Sequence, residues 1–357
     1  MEIRLRSDRY GTRFGNGTRN MAEISIVIPV YNAARFLREA LASLQAQTFT
    51  EWECICVNDG STDESPTIIR EMMASDPRIQ LLEQANAGLS AARNRGVERS
   101  QAPYIFFMDA DDLLYPKALE TLYRTIQETD AEVVWGRTQR FVDDLPTPSE
   151  TGEVRTIEGA ALRQWVGEDE RSSQSSSADA FWGISIEAWG KLFKRDVILR
   201  NPQPEELRIG EDNLFSMRLF RMVTRVSVVD AAIYGYRQVT GSLCKQRTAT
   251  WLLGYTEAFC KVLTECGDNP ILLSNYLESS ALTKWFIGSV FTDVLLARQV
   301  ALYPAIQIMC KTFLSHPAFR FAKPKLKFWL WLGAHQWWWL LRWSYKHSTL
   351  YKKSLKW

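Results

Sequence analysis

The sequence predicts an α/β protein with a mostly parallel sheet flanked by helices, followed by a C-terminal helical, Trp-rich and basic appendage. Three observations predict it. Short apolar, β-branched runs alternate with amphipathic helical stretches, the pattern of parallel sheets with covered faces. Acidic and turn-forming residues follow the apolar runs at their carboxyl ends. Charge and aromatics are also segregated. After Asp293 there is no acidic residue while eleven Lys and Arg follow, and seven of the fourteen tryptophans fall between Trp329 and Trp357.

Ile24–Val30 (ISIVIPV) is an apolar run stopped by a turn and reads as a buried strand. Asn32 can cap a helix over Ala34–Gln45. Trp52–Asn58 is a second strand that ends in Asp59-Gly60-Ser61, and Thr62 or Asp63 starts a helix through Met73. Ile79–Leu82 is a short strand and Gly88–Arg99 a helix. Tyr104–Met108 is a strand, Pro116–Thr129 a helix with proline at its start, and Ala131–Gly136 a further strand. Ligands of such sheets bind beyond the carboxyl ends of the strands. That rule places Pro29–Asn32, Asp59–Thr62 and Asp109–Asp112 along one rim. Residues 141–180 are polar, and Arg171–Ala178 (RSSQSSSA) reads as a flexible loop. Order returns over Phe181–Arg195, with a helix near Asp212–Met222 and a strand near Val226–Val229. From about Thr250 the pattern is helical and aromatic.

A chain of 357 residues with 46% hydrophobic content can build one large core and a substantial appendage. The expected division is a disordered extension over 1–20, a sheet domain over 21–245, a helical region over 246–322 and a tail over 323–357. The first twenty residues are Arg-rich and Gly-rich without an apolar segment, unlike a secretory signal, and Met21 is an alternative start. The net charge of +2 hides a division, because the chain through Asp293 carries 32 basic against 41 acidic residues. A basic tail on an acidic body suits an anionic surface; a solvated basic face fits the composition equally. No feature calls for a nucleic acid, and the oligomeric state is not set by the sequence. The six cysteines, at 54, 56, 244, 260, 266 and 310, lack CxxC-type spacing. This argues against a zinc site or disulfide framework and for reduced thiols in the cytoplasm.

Four motifs carry chemistry. Asp109-Ala110-Asp111-Asp112 follows an apolar strand, and three carboxylates in four residues repel one another unless a cation or donors compensate. Mg2+ and Mn2+ prefer such oxygen ligands; capping of the next helix is the alternative. Asn58–Asp63 ends a strand, where a carboxylate can accept the N3–H of uracil or merely form an Asp-Gly turn. Asn86–Asn94 opens a helix at Gly88 whose amides could face an anion, with Arg93 inside it; an exposed surface helix is the plain reading. Gly210-Glu211-Asp212 precedes an amphipathic helix, so simple capping competes with catalysis.

In their order and company these motifs resemble the family 2 glycosyltransferases, enzymes of GT-A fold that include many of bacterial capsule, lipopolysaccharide and wall-polymer synthesis. The matching pieces are Pro29-Val30-Tyr31-Asn32, Asn58–Asp63, Asn86–Asn94, Asp109–Asp112, Trp189–Phe193, Glu211-Asp212 and Tyr236-Arg237. The resemblance implies that Tyr31 and Asp59 hold uracil, with Pro29 shaping the pocket and Asn86 and Arg93 near the nucleotide. It implies that Asp109 binds the ribose or donor sugar, and that Asp111 is the main ligand of a Mg2+ or Mn2+ bridging the diphosphate. Asp212, beside Glu211, becomes the general base, and Lys191 and Arg237 become candidates for the phosphates. Asn58 departs from a frequent Asp. The Gln-x-x-Arg-Trp segment of processive synthases is missing, which favours single transfers. The implied partners are a UDP-sugar donor and a glycan or glycolipid acceptor. A metal on the leaving diphosphate and a base on the opposite face imply inversion. The three histidines, His316, His335 and His347, all lie late in the chain, so a carboxylate suits the base.

Phe328–Leu341 (FWLWLGAHQWWWLL) has no charge over 14 residues. As a helix it would extend about 21 Å, short of the ~30 Å hydrocarbon core. Trp with flanking Lys suits the headgroup layer, so a peripheral anchor at the inner face of the cell membrane is expected; a buried helical subdomain or oligomer interface is the alternative. Two other functions compete: a nucleotidyltransferase of related fold, releasing pyrophosphate, and a non-catalytic glycan-binding protein.

Overall fold

The computed structural model describes residues 22–147, 151–166, 187–239, 248–267, 269, 273, 300–322 and 324–338. The expectations for residues 1–20, for Arg171–Ala178 and for the chain after Trp338 lie outside these. Nine strands form one sheet: β1 (Ile24–Val30), β2 (Trp52–Asp59), β3 (Ile79–Gln84), β4 (Tyr104–Phe107), β5 (Leu113–Leu114), β6 (Val133–Phe141), β7 (Val154–Glu158), β8 (Lys191–Lys194) and β9 (Arg225–Arg237). Their order is β3-β2-β1-β4-β8-β6-β9-β5, with β7 on β9. β3, β2, β1 and β4 run parallel. β8 enters antiparallel to both β4 and β6, β6 and β9 pair parallel, and β5 and β7 run antiparallel to β9.

The helices are α1 (Ala34–Gln45), α2 (Ser65–Ser75), α3 (Leu89–Arg99), α4 (Ala118–Thr129), α5 (Gly159–Val166), α6 (Arg195–Arg200), α7 (Glu211–Met222), α8 (Ala249–Glu265), α9 (Tyr303–Ser315) and α10 (Pro324–Ala334). β1 is apolar except for Ser25, as suits a strand with both faces covered. Ile24, Ile26 and Ile28 pack against Leu37 and Leu41 of α1, Ile69 of α2 and Leu122 of α4. Val27 faces the other way, with Ala92 of α3 and Phe215 of α7 in its cluster. Gly96 lets α3 approach the sheet, since a Cβ there would stand 2.3 Å from Val27 Cγ1. A third core joins Leu214 and Met217 of α7 to Trp251 and Phe259 of α8, Met309 and Phe313 of α9, and Trp329 and Leu330 of α10.

Four local readings change. Asn32 does not cap α1; its φ of 50° turns the side chain toward the neighbouring loop, and Ala33 holds the cap position. α4 begins at Ala118, after the added strand β5. The polar stretch after Phe141 contains β7 and α5. β9 extends to Arg237, much longer than expected, because Ser227, Asp230 and Gly235 interrupt its apolar run while the strand is nonetheless buried. Of the aromatic tail, Trp329 is core at 1% exposure, whereas Phe328, Trp331 and Trp337 stay exposed. Among the described residues no helix is long and apolar enough to cross a membrane.

Candidate active site

Two loops at the carboxyl ends of β1 and β2 brace each other. The strands pair through Val30 and Asn58. Beyond them, Asn32 Oδ1 accepts the Thr62 amide at 2.9 Å, and Ser61 Oγ accepts the Asn32 amide at 3.0 Å. Asp63 accepts the amides of Ala34 and Ser65, both at 3.0 Å, so a residue of the second loop caps α1. Asp59, buried at the end of β2, accepts Gln84 Nε2 at 2.8 Å, the Ala87 amide at 2.7 Å and the Gly88 amide at 2.8 Å. Asn86 Nδ2 donates to the Asp59 carbonyl at 3.1 Å. Gly60 has φ +75°, and a Cβ there would lie 2.9 Å from the Asn86 amide, so glycine is what lets this corner close. Pro29 is buried in β1, and Tyr31, 56% exposed, stands one residue past Val30. Pro29, Tyr31, Asp59 and Asn86 therefore gather at one corner of the rim.

The next part of the rim is an acidic centre organised by Arg93. This side chain is 1% exposed; Nη2 donates to Asp109 Oδ1 at 3.0 Å and Nη1 to Asp212 Oδ1 at 3.1 Å. Arg93 thus unites the end of β4 with the start of α7. Burial raises the Asp212 pKa, opposed by Arg93 and supported by the charges of Asp109 and Glu187. Asp109 is raised in the same way, by burial against Arg93, with Asp111 adding to the rise. Asp111 is raised by burial. Glu211 is pushed up to about 7 by burial and by Asp212. Asp112, fully buried, is pushed up to about 8 by burial and by Asp109 and Asp111.

The two other basic candidates are engaged elsewhere. Lys191 is buried, donates Nζ to the Glu187 carbonyl, and is drawn down to about 8 by burial. Arg237 clamps the acidic loop from beneath. Its amide donates to Asp112 Oδ1 at 2.8 Å, Nε to the Asp111 carbonyl at 2.8 Å and Nη2 to Glu39 at 2.6 Å. Its guanidinium lies 4.7 Å from the Phe36 ring centroid and 4.6 Å from that of Phe141. Sequence reasoning missed Tyr234, whose hydroxyl accepts the Asp109 amide at 3.0 Å, and gave no role to Trp189, which stacks on Tyr234 and Tyr236. The signal for Tyr234 was its alternation with Tyr236 beside Arg237 in one strand, and Trp189 opened the motif Trp189–Phe193.

The donor set suits a hard divalent cation that shares its coordination with phosphate. Among the described residues no group of three or more His, Cys, Asp or Glu could hold a metal alone. Asp111 and Asp109 could supply one or two carboxylates, and a cation would relieve the burial that raises both. Magnesium in particular commonly takes one or two carboxylates plus substrate phosphates.

A half-parallel sheet with acidic loops and a helix N-terminus at the carboxyl rim defines an α/β domain of GT-A type. Residues 25–170 match Glycosyl transferase family 2, so this part of the chain is a domain of that family. It is 33% identical over 264 residues to the glycosyltransferase GlyA of Streptococcus pneumoniae serotype 4, covering 71% of this chain and 36% of that relative. The chain therefore spans about a third of GlyA. Its fold resembles residues 1–349 of Staphylococcus aureus TarS, solved with UDP-GlcNAc, with TM-score 0.63, 18% identity, and 93% and 92% of the two chains covered. It also resembles the mannosyltransferase PcManGT of Pyrobaculum calidifontis, solved with GDP-Man and Mn2+, with TM-score 0.52, 16% identity, and 93% and 88% covered.

Proposed function

We propose that this protein transfers a sugar from a UDP-sugar to a hydroxyl of a glycan acceptor with inversion at the sugar carbon. The observation that carries this reading is the buried Arg93 tie between Asp109 and Asp212. It sets a donor-side carboxylate and a base-side carboxylate at fixed separation around one cation. Tyr31, Asp59, Asn86 and Pro29 take the uracil. Asp109 takes the ribose or donor sugar. Asp111 would hold a divalent ion, whose Lewis acidity would supply stabilisation of charge on the leaving diphosphate. Asp212 accepts the proton of the acceptor hydroxyl as it attacks, and burial raises its pKa, which strengthens it as a base. The test is a UDP-release screen over UDP-sugars with extracted glycolipid acceptors. UDP release that is lost with EDTA and with Asp111→Asn is expected, the variant remaining folded. Pyrophosphate release would identify a nucleotidyltransferase instead, and activity indifferent to EDTA removes the metal.

The acceptor is lipid-linked in this reading, with the protein peripheral at the inner face of the membrane. The support is the surface formed by exposed Phe328, Trp331 and Trp337 in a segment rich in Lys and Arg. Aromatic burial is insensitive to salt, whereas Lys and Arg add roughly 1 kcal/mol each near an anionic surface and are screened beyond ~8–10 Å. Flotation with anionic liposomes should recover the protein, high salt should weaken recovery partly, and Trp331→Ala with Trp337→Ala should weaken it further. Because Trp329 is core, these exposed substitutions test membrane contact better than deletion of the tail. Recovery unchanged by the double substitution removes this surface from the reading.

A further inference from the structure

The rim contains a cation that neither the motifs nor the assigned roles use. Arg208 lies in the loop between α6 and α7, four residues before Asp212, and is exposed. Its guanidinium rests on Gly88 at the start of α3, where a Cβ would stand 2.1 Å from Arg208 Nη1. Gly88 has φ +97°, so glycine is required there both for conformation and for this contact. The loop is fixed from the other side by α8. A Cβ on Gly210 would lie 2.8 Å from Ala258 Cβ, and one on Gly254 would lie 3.1 Å from Ile209 Cβ.

The neighbouring carboxylates do not neutralise Arg208. Glu205 accepts Asn94 Nδ2 at 2.7 Å, and Glu206 faces Arg218 at 3.6 Å and Lys261 at 3.7 Å. The other basic groups of the rim are committed: Arg93 to two carboxylates, Lys191 to a carbonyl and Arg237 to the underside of the acidic loop. The guanidinium also sits at the positive end of a helix, a poor place for a cation unless an anion joins it. The first intrahelical acceptor there is Gly88 O, taken by the Ala92 amide at 3.0 Å, so the preceding amides are not used by the helix. Ser90 Oγ, in that first turn, is buried with no hydrogen-bond partner.

We propose that Arg208 is a donor-site residue that holds the diphosphate of the nucleotide over the first turn of α3. The inference rests on the UDP-sugar reading and deepens it. Gly88 donates its amide to Asp59, so Arg208 stands beside the uracil corner, while its loop leads directly into Asp212. A diphosphate lying between those two points passes the guanidinium, and a planar fork suits phosphate oxygens. α8 thereby acts on the nucleotide through the loop it buttresses.

The test is calorimetric titration of the full chain with UDP and with uridine, in the presence of Mg2+, for the parent, Arg208→Gln and Arg208→Lys. Loss of one charge-assisted contact should weaken UDP binding by about tenfold or more in Arg208→Gln and leave uridine binding unchanged. Arg208→Lys should fall between, since it keeps the charge without the fork. UDP binding equal to the parent's in Arg208→Gln overturns the inference. So does an equal loss of UDP and uridine, which would make Arg208 scaffolding for the base pocket. A parent that binds no UDP overturns the UDP-sugar reading and this inference with it.

Discussion

The two halves of the rim treat carboxylates in opposite ways. At the corner proposed for uracil, Asp59 and Asp63 are surrounded by donors, Asp59 by two amides and a glutamine, Asp63 by the amides of Ala34 and Ser65. Burial works to raise Asp63, but the Ser65 hydroxyl and the amides outweigh it and lower its pKa. At the acidic centre, five carboxylates share the neighbourhood of Arg93 and Arg237, and all five are raised. The same residue type thus builds a rigid frame in one place and a charge cluster that Arg93 and Arg237 only partly compensate in the other. Uncompensated charge is what a site needs if it is to recruit a cation or accept a proton. A frame would be satisfied without ligands.

The contrast breaks most sharply at Asp212. If it is a working base, Asp212→Asn should lower transfer by about 10²–10⁴-fold, the usual contribution of a positioned base. UDP binding should change little, because the corner proposed for uracil is built from other residues and asparagine can still accept from Arg93. Stopped transfer assays and calorimetry with UDP measure the two separately. An active Asp212→Asn beside a dead Glu211→Gln would move the base to Glu211. A parallel loss of UDP affinity would make Asp212 part of the frame.

How far the sequence could be read follows from the same contrast. The strands β1 and β4 were legible because burial on both faces leaves almost no polar residue in them, and β2 because its middle, Cys54–Val57, is apolar and buried. The rim was legible because turn and acidic residues follow those strands directly. The pairing at the centre was not, since Arg93 reaches Asp212 across 119 positions, and only the assembled sheet brings α3 and α7 together. The resemblance offered Lys191 and Arg237 as candidates for the phosphates; burial and a carbonyl hold the first, and Glu39 and two aromatic rings hold the second. Asn32 read as a helix cap because its side chain suits that role. Its left-handed backbone instead sends the side chain to Thr62, and Asp63, two positions before α2, caps α1. Such exchanges between loops leave no trace in local spacing. The division of the tryptophans is of this kind too: Trp329 and Trp331 are two residues apart, on opposite sides of a helix whose position is set by α9.

Glu211 allows the smallest but most direct measurement of uncompensated charge. Its ordinary pKa is ~4.3 in an unfolded chain, and in the folded protein it is pushed up to about 7 by burial and by Asp212. Between those values the folded state keeps a proton that the unfolded state has released. Stability must then fall as pH rises through this window and stay lower above about 7, the reverse of a salt-bridged carboxylate. Gln carries no titrating proton, so Glu211→Gln should melt like the parent near pH 4–5 and above it at pH 8, without nucleotide or metal present. The difference in Tm should open gradually across the interval. Adding Asp212→Asn to the parent should narrow it, because Asp212 is the second cause of the shift. A Tm difference that is constant with pH would mean that Glu211 is as well compensated as Asp63, and the contrast between the two halves of the rim would then rest on Asp109, Asp111, Asp112 and Asp212 alone.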